Sequence, residues 1–235
     1  MVVCSLLSSD SRKTIEDARM NTPLTLAAAL LLGCGPAAVA PAADSHADPA
    51  ARRQDTFVYL CPDRSRYTVR TEEDSAWVFR PQGTLRLPRQ PAASGARYSD
   101  GRFTLWSEGQ EARIREPGQK TKHCHNDRRQ AVWEKAKLDG ADFRAVGNEP
   151  GWNLEIRNGN RLRLVTDYGA SRIELTLPKP REDPQQRLTR WHDEQLDLSI
   201  RARPCIDSMS GERFESEVLL RWQGRTLRGC GRALH

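Results

Sequence analysis

From residue 57 onward, apolar and polar positions alternate in short runs, the period of a strand with one buried face. Such runs lie at 57–61, 67–71, 76–80, 84–88, 96–99, 102–107 and 112–115. Turn formers separate them: Pro62-Asp63, Glu73-Asp74, Pro81-Gln82-Gly83, Asp100-Gly101 and Glu108-Gly109. Strands this close, with no helical period between them, predict an antiparallel meander, in its simplest form a small closed barrel. The period changes once, at 128–138 (RRQAVWEKAKL), which predicts a short helix ending at Asp139-Gly140 with Trp133 packed between two halves. Alternation returns from Phe143, with runs at 152–157, 161–166, 171–177, 187–192, 195–202, 215–222 and 225–230. Between them, 178–186 (PKPREDPQQ) reads as a long, polar, exposed loop. The expected fold class is mostly β: a small antiparallel β-barrel and a second β-rich domain, joined by a short helix.

The first 56 residues depart from this pattern. Residues 24–33 (LTLAAALLLG) form an apolar run too short to span a bilayer core of about 30 Å as a helix. Arg12, Lys13 and Arg19 precede it and small residues follow, the order of a signal peptide. Leu31-Leu32-Gly33-Cys34 resembles a bacterial lipobox, which would make Cys34 the lipidated residue and Gly35 compatible with the outer membrane. Cleavage near Ala40-Pro41-Ala42 is the alternative and would release a soluble periplasmic protein. The expected organisation is a signal peptide with lipobox at 1–34 and a flexible Ala/Pro-rich tether at 35–55. A β-barrel at 56–125, a helical linker at 126–140 and a β-rich domain at 141–235 follow.

Composition narrows this further. The 235 residues carry 37 Lys and Arg against 31 Asp and Glu, and hydrophobic residues make up 37%. With a mean hydropathy of −0.71, a multispan helical membrane protein is excluded. Setting aside Cys4 and Cys34 leaves Cys61, Cys124, Cys205 and Cys230, an even set that in an exported chain points to disulfides. Four cysteines allow three connectivities, and two in each half favours Cys61–Cys124 with Cys205–Cys230. His123-Cys124-His125 is the competing metal reading. Neighbours in an extended segment point to opposite faces, however, and no Cys-x-x-Cys or His-x-x-x-His spacing supports it, so no metal is expected.

The informative stretch is Ser94-Gly95-Ala96-Arg97-Tyr98, followed by Trp106-Ser107-Glu108-Gly109-Gln110-Glu111-Ala112. Taken alone it is a β-hairpin closed at Asp100-Gly101, with Ser94 at a loop tip. With Tyr59-Leu60-Cys61 before it and Cys124 after it, the ordered set resembles the C-type lysozyme inhibitor family (MliC/PliC). The resemblance covers residues 57–124 and implies a small antiparallel barrel whose S-G-x-x-Y loop enters the cleft of a C-type lysozyme or related muramidase. By residue match, Ser94 would hydrogen-bond the catalytic carboxyls, Gly95 would let the backbone approach, and Tyr98 would fix the loop. The family's second key residue is a Lys, and this chain has Glu108 there. A glutamate is repelled by an ionised carboxylate, so Arg97 or Arg102 on the same hairpin would have to supply the cation. Residues 56–125 hold 12 Lys and Arg against 8 Asp and Glu, a net +4 that would oppose steering toward a basic enzyme.

Residues 143–234 are similar to a domain of bacterial lipoproteins that accompanies inhibitor-like modules and brings no activity with it. Glu149 beside Trp152, and Asp207 with Ser208, are its candidate polar sites. There is no G-x-S-x-G elbow, no H-E-x-x-H and no phosphate-binding glycine loop, so no enzyme and no cofactor are expected. Arginines alternate with acids, which does not read as nucleic-acid binding. The expected function is stoichiometric lysozyme inhibition from the outer membrane. The alternatives are a non-inhibitory envelope module binding peptidoglycan or protein, and a ligand or catalytic site in the second domain.

Overall fold

The computed structural model describes residues 54–235. The expected signal peptide, Cys34 and all but the end of the expected tether lie outside the described residues. Eight strands form the first half: β1 (Asp55–Leu60), β2 (Arg66–Thr71), β3 (Ser75–Arg80), β4 (Gly83–Gln90), β5 (Ala96–Ser99), β6 (Thr104–Glu108), β7 (Glu111–Arg115) and β8 (Lys122–Asn126). Each pairs antiparallel with the next, and β8 returns to β1 through Leu60↔His125 and Tyr59↔Asn126, closing the barrel. Sequence alternation does not single out β8, whose polar KHCHN leaves Cys124 as its one buried residue. The strand nevertheless obeys the period-2 rule, with Cys124 facing in and His123 and His125 out. Tyr59, Val69, Val78, Leu87, Tyr98, Leu105 and Ile114 fill the interior. Cys61 and Cys124 are disulfide-bonded, tying the end of β1 to β8.

In such a meander, alternate turns fall at opposite ends. The turns after β2, β4 and β6 share one end, and those after β1, β3, β5 and β7 share the other.

Asp127 caps helix α1 (Arg128–Leu138) by accepting from Gln130 N–H at 3.1 Å. The helix packs against β1 of the barrel and against β9, the first strand of the second half. Trp133 lies 5.2 Å from Phe214, with the Arg232 guanidinium 4.4 Å from its ring. Ion pairs Arg66–Glu134 and Arg70–Asp139 tie the helix to β2.

The second half comprises β9 (Ala141–Asn148), β10 (Gly151–Arg157), β11 (Arg161–Thr166), β12 (Ser171–Thr176), β13 (Arg181–Asp183), β14 (Leu188–His192), β15 (Leu196–Arg201), β16 (Cys205–Ile206), β17 (Arg213–Phe214), β18 (Ser216–Trp222) and β19 (Arg225–Ala233). Nine of these form one antiparallel sheet in the order β12-β11-β10-β9-β19-β18-β15-β14-β13, while β16 pairs with β17. One core cluster joins Leu162 and Leu164 of one wing to Trp191 and Leu198 of the other, so the sheet curls around a single core. The expected loop at 178–186 contains a strand. Charged β13 is recruited as a sheet edge by pairing with β14, and pairing across a short turn overrides its polar sequence. The second disulfide, Cys205–Cys230, joins β16 to β19.

Candidate functional site

Residues 91–95 connect β4 to β5, and Ser94 is exposed at the tip. Two contacts hold this tip. The indole N–H of Trp106 on β6 donates to the Ser94 carbonyl at 2.9 Å. Gly95, at φ +65°, lies so close to Ser107 that a side chain there would overlap the Ser107 carbonyl oxygen. Trp106 is itself braced by Arg113, whose guanidinium lies 5.0 Å from the ring centre. The Ser94 hydroxyl makes no hydrogen bond among the described residues, so the tip presents a free donor on a restrained backbone.

The other expected residues divide between this tip and elsewhere. Tyr98 is buried inside the barrel, paired across the sheet with Leu105, and burial pushes its phenol pKa up so that it stays neutral. Its place is in the core beneath β5, whereas the bond that restrains the tip comes from Trp106. Arg97 sits opposite Trp106 on the outer face, next to the tip. Arg102 lies in the β5–β6 turn, at the far end of the barrel from Ser94. Glu108 closes β6 directly beside Gly95 and faces Glu111 across the β6–β7 turn. Trp106, Glu108, Glu111, Arg113 and His123 line a shallow cavity of about 370 Å³ on this face.

The sequence missed Glu111 and Trp106 as members of this site. Both follow from cross-strand register, which becomes legible once β6 and β7 are paired. The same topology sorts charge. Glu72, Glu73 and Asp74 of the β2–β3 turn join Glu108 and Glu111 at the Ser94 end, with Arg89 and Arg97 among them. At the opposite end gather Arg64, Arg80, Arg102, Arg115, Lys120 and Lys122, facing Asp63, Asp100 and Glu116. The barrel's net positive charge is therefore polarised away from the tip.

In the second half, Glu149 is exposed in the β9–β10 turn and lines one polar groove with Asp207 and Ser208, while Trp152 is buried and donates to the Arg228 carbonyl at 3.3 Å. Asp207 is buried and structural. Burial alone would raise its pKa, but the backbone N–H and hydroxyl of Ser210, with Asn148 Nδ2 and Met209 N–H, donate to it and hold it below the ordinary range. Its carboxylate organises the loop after β16. Among the described residues, no group of three or more His, Cys, Asp or Glu is placed to hold a metal.

No curated protein and no solved structure matches this chain. Residues 59–123, which run from β1 into β8, match the family model MliC, the membrane-bound lysozyme-inhibitor of c-type lysozyme.

Proposed function

We propose that the barrel inhibits a c-type lysozyme stoichiometrically, by seating the Ser94 tip between the two catalytic carboxyls of the enzyme's cleft. The reading comes from the family match, and one observation carries the mechanism: an exposed serine on a loop restrained by Trp106 and by the Gly95–Ser107 contact. A retaining glycosidase places an acid and a nucleophilic carboxyl on either side of the scissile bond. A hydroxyl that occupies that space satisfies them without undergoing reaction. Because the loop is already ordered, docking loses little conformational entropy. The acidic rim around the tip favours approach to a basic enzyme despite the barrel's net charge. Of the two candidate cations, Arg97 lies beside the tip and Arg102 at the opposite end of the barrel. We assign residues 56–125 to the inhibitory unit, 126–140 to the linker and 141–235 to the second domain. Lipidation of Cys34 would hold the chain at the outer membrane, facing the periplasm.

Titration of a c-type lysozyme's activity against the purified protein tests this. Inhibition saturating at one equivalent, and its loss in Ser94→Tyr through a steric clash, are the expected results. Full lysozyme activity beside a molar excess of the unaltered protein overturns the proposal.

A second reading rests on Glu108 facing Glu111 next to the tip. Two carboxylates there suit a basic partner on the barrel's outer face, bound without entry into a catalytic cleft. Complex formation with undiminished lysozyme activity would favour it.

A further inference from the structure

A groove of about 770 Å³ lies on the second sheet, on the face turned away from its core. Five arginines line it: Arg190 on β14, Arg201 on β15, Arg203 just beyond, Arg221 on β18 and Arg228 on β19. Strand register explains the clustering, because Arg190, Ser199, Leu219 and Arg228 form one row and Arg201 stands in the next. The same row rule puts Trp191, Leu198, Leu220 and Leu227 on the opposite, core-facing side.

Three of the groove's four acids, Asp197, Glu217 and Asp207, are already engaged; the fourth, Glu149, is exposed in the β9–β10 turn and has no ion pair among the described residues. Asp197 accepts two bonds from Arg190, at 2.7 and 2.8 Å, and one from Arg221 at 3.2 Å. Glu217 pairs with Arg203 at 2.6 Å, and Asp207 is spent on its own loop. Arg201 is half-buried and stands across from Glu217, yet neither it nor Arg228 has an ion-pair partner among the described residues. These two guanidinium-bearing positions are two strands apart, about 10 Å across the sheet, with the apolar Leu219 on the strand between. Ile206, 62% exposed, adds an apolar rim from the loop pinned by Cys205–Cys230. Guanidinium forks match carboxylate and phosphate oxygens bidentately, and a lone half-buried cation gains more from such a partner than a solvated one.

We propose that this groove is a second binding site, independent of the barrel, for an oligoanion carrying at least two carboxylate or phosphate groups. Arg201 and Arg228 clamp the two ends. Arg190 and Arg221, held in place by Asp197, supply field along the floor.

Calorimetric titration of the full chain with inorganic tripolyphosphate, and separately with citrate, tests the site and distinguishes phosphate from carboxylate preference. Saturable binding of at least one probe, weakened about tenfold or more in Arg201→Gln/Arg228→Gln, is the expected result. The exposed Arg228→Gln alone should weaken binding about threefold, which keeps the test intact if the double variant misfolds. Asp197→Asn, which frees two arginines, should tighten it. Absence of saturable binding of both probes overturns the proposal, as does equal binding by wild type and a folded Arg228→Gln chain.

Discussion

Gly95 and Glu108 are neighbours at the barrel tip and act in different ways. Gly95 combines a left-handed backbone at φ +65° with contact against Ser107, so alanine meets both a backbone penalty and an overlap. Gly95→Ala is expected to cost about 2 kcal/mol or more in urea unfolding, and to lose inhibition even where the barrel still folds. Glu108 is exposed and bears little on stability. If Ser94 enters a cleft between carboxylates, Glu108 faces negative charge there, and Glu108→Lys should tighten inhibition roughly tenfold. A weaker complex in that variant, measured by the same activity titration, would instead support the basic-partner reading.

At the scale of the element, the barrel depends on its last strand. β8 offers one apolar side chain, Cys124, to the interior, so its apolar burial cannot hold it in place. The Cys61–Cys124 bond spans 63 residues and constrains the unfolded chain accordingly. Replacing both cysteines by serine should lower stability by about 2–4 kcal/mol, read from denaturant midpoints. Helix α1 shows the complementary case. Its capping Asp127 and the following Gly140 mark its bounds in the sequence, whereas its partners are tertiary. Beneath it, buried Glu155 gathers Arg144, Arg157 and Arg163 from three adjacent strands. A buried carboxylate with such partners is tolerated because each oxygen is engaged, an arrangement that alternation alone does not announce.

Across the whole molecule, the second sheet makes stability depend on pH. Arg190 and then Arg221 donate to Asp197 and lower its pKa, and the donors around Asp207 outweigh its burial to do the same. Both folded values lie below the unfolded one. Their stabilisation is therefore complete above the ordinary aspartate value of about 3.9 and is lost as pH falls below it through the folded values. The urea midpoint should drop as pH falls below about 3.9, and Asp207→Asn should flatten part of that drop. A midpoint that held steady or rose on acidification would contradict the assignment.

Alternation and turn residues determined the mostly β class and the helix at 128–138, because each depends on local geometry, while the cysteine count favoured the two disulfides among three possible pairings and the fold selected them. The ordered residues from Tyr59 to Cys124 also carried the family likeness. Tertiary structure decided what depends on register and closure. It recruited β8 and β13 in spite of their polar sequences, turned Trp106 outward to hold Ser94, and separated Arg102 from the tip by the length of a strand. It also gathered arginines scattered from 190 to 228 onto one face. A strand's sequence specifies which residues share its faces, but pairing and curvature determine which strands bring those faces together.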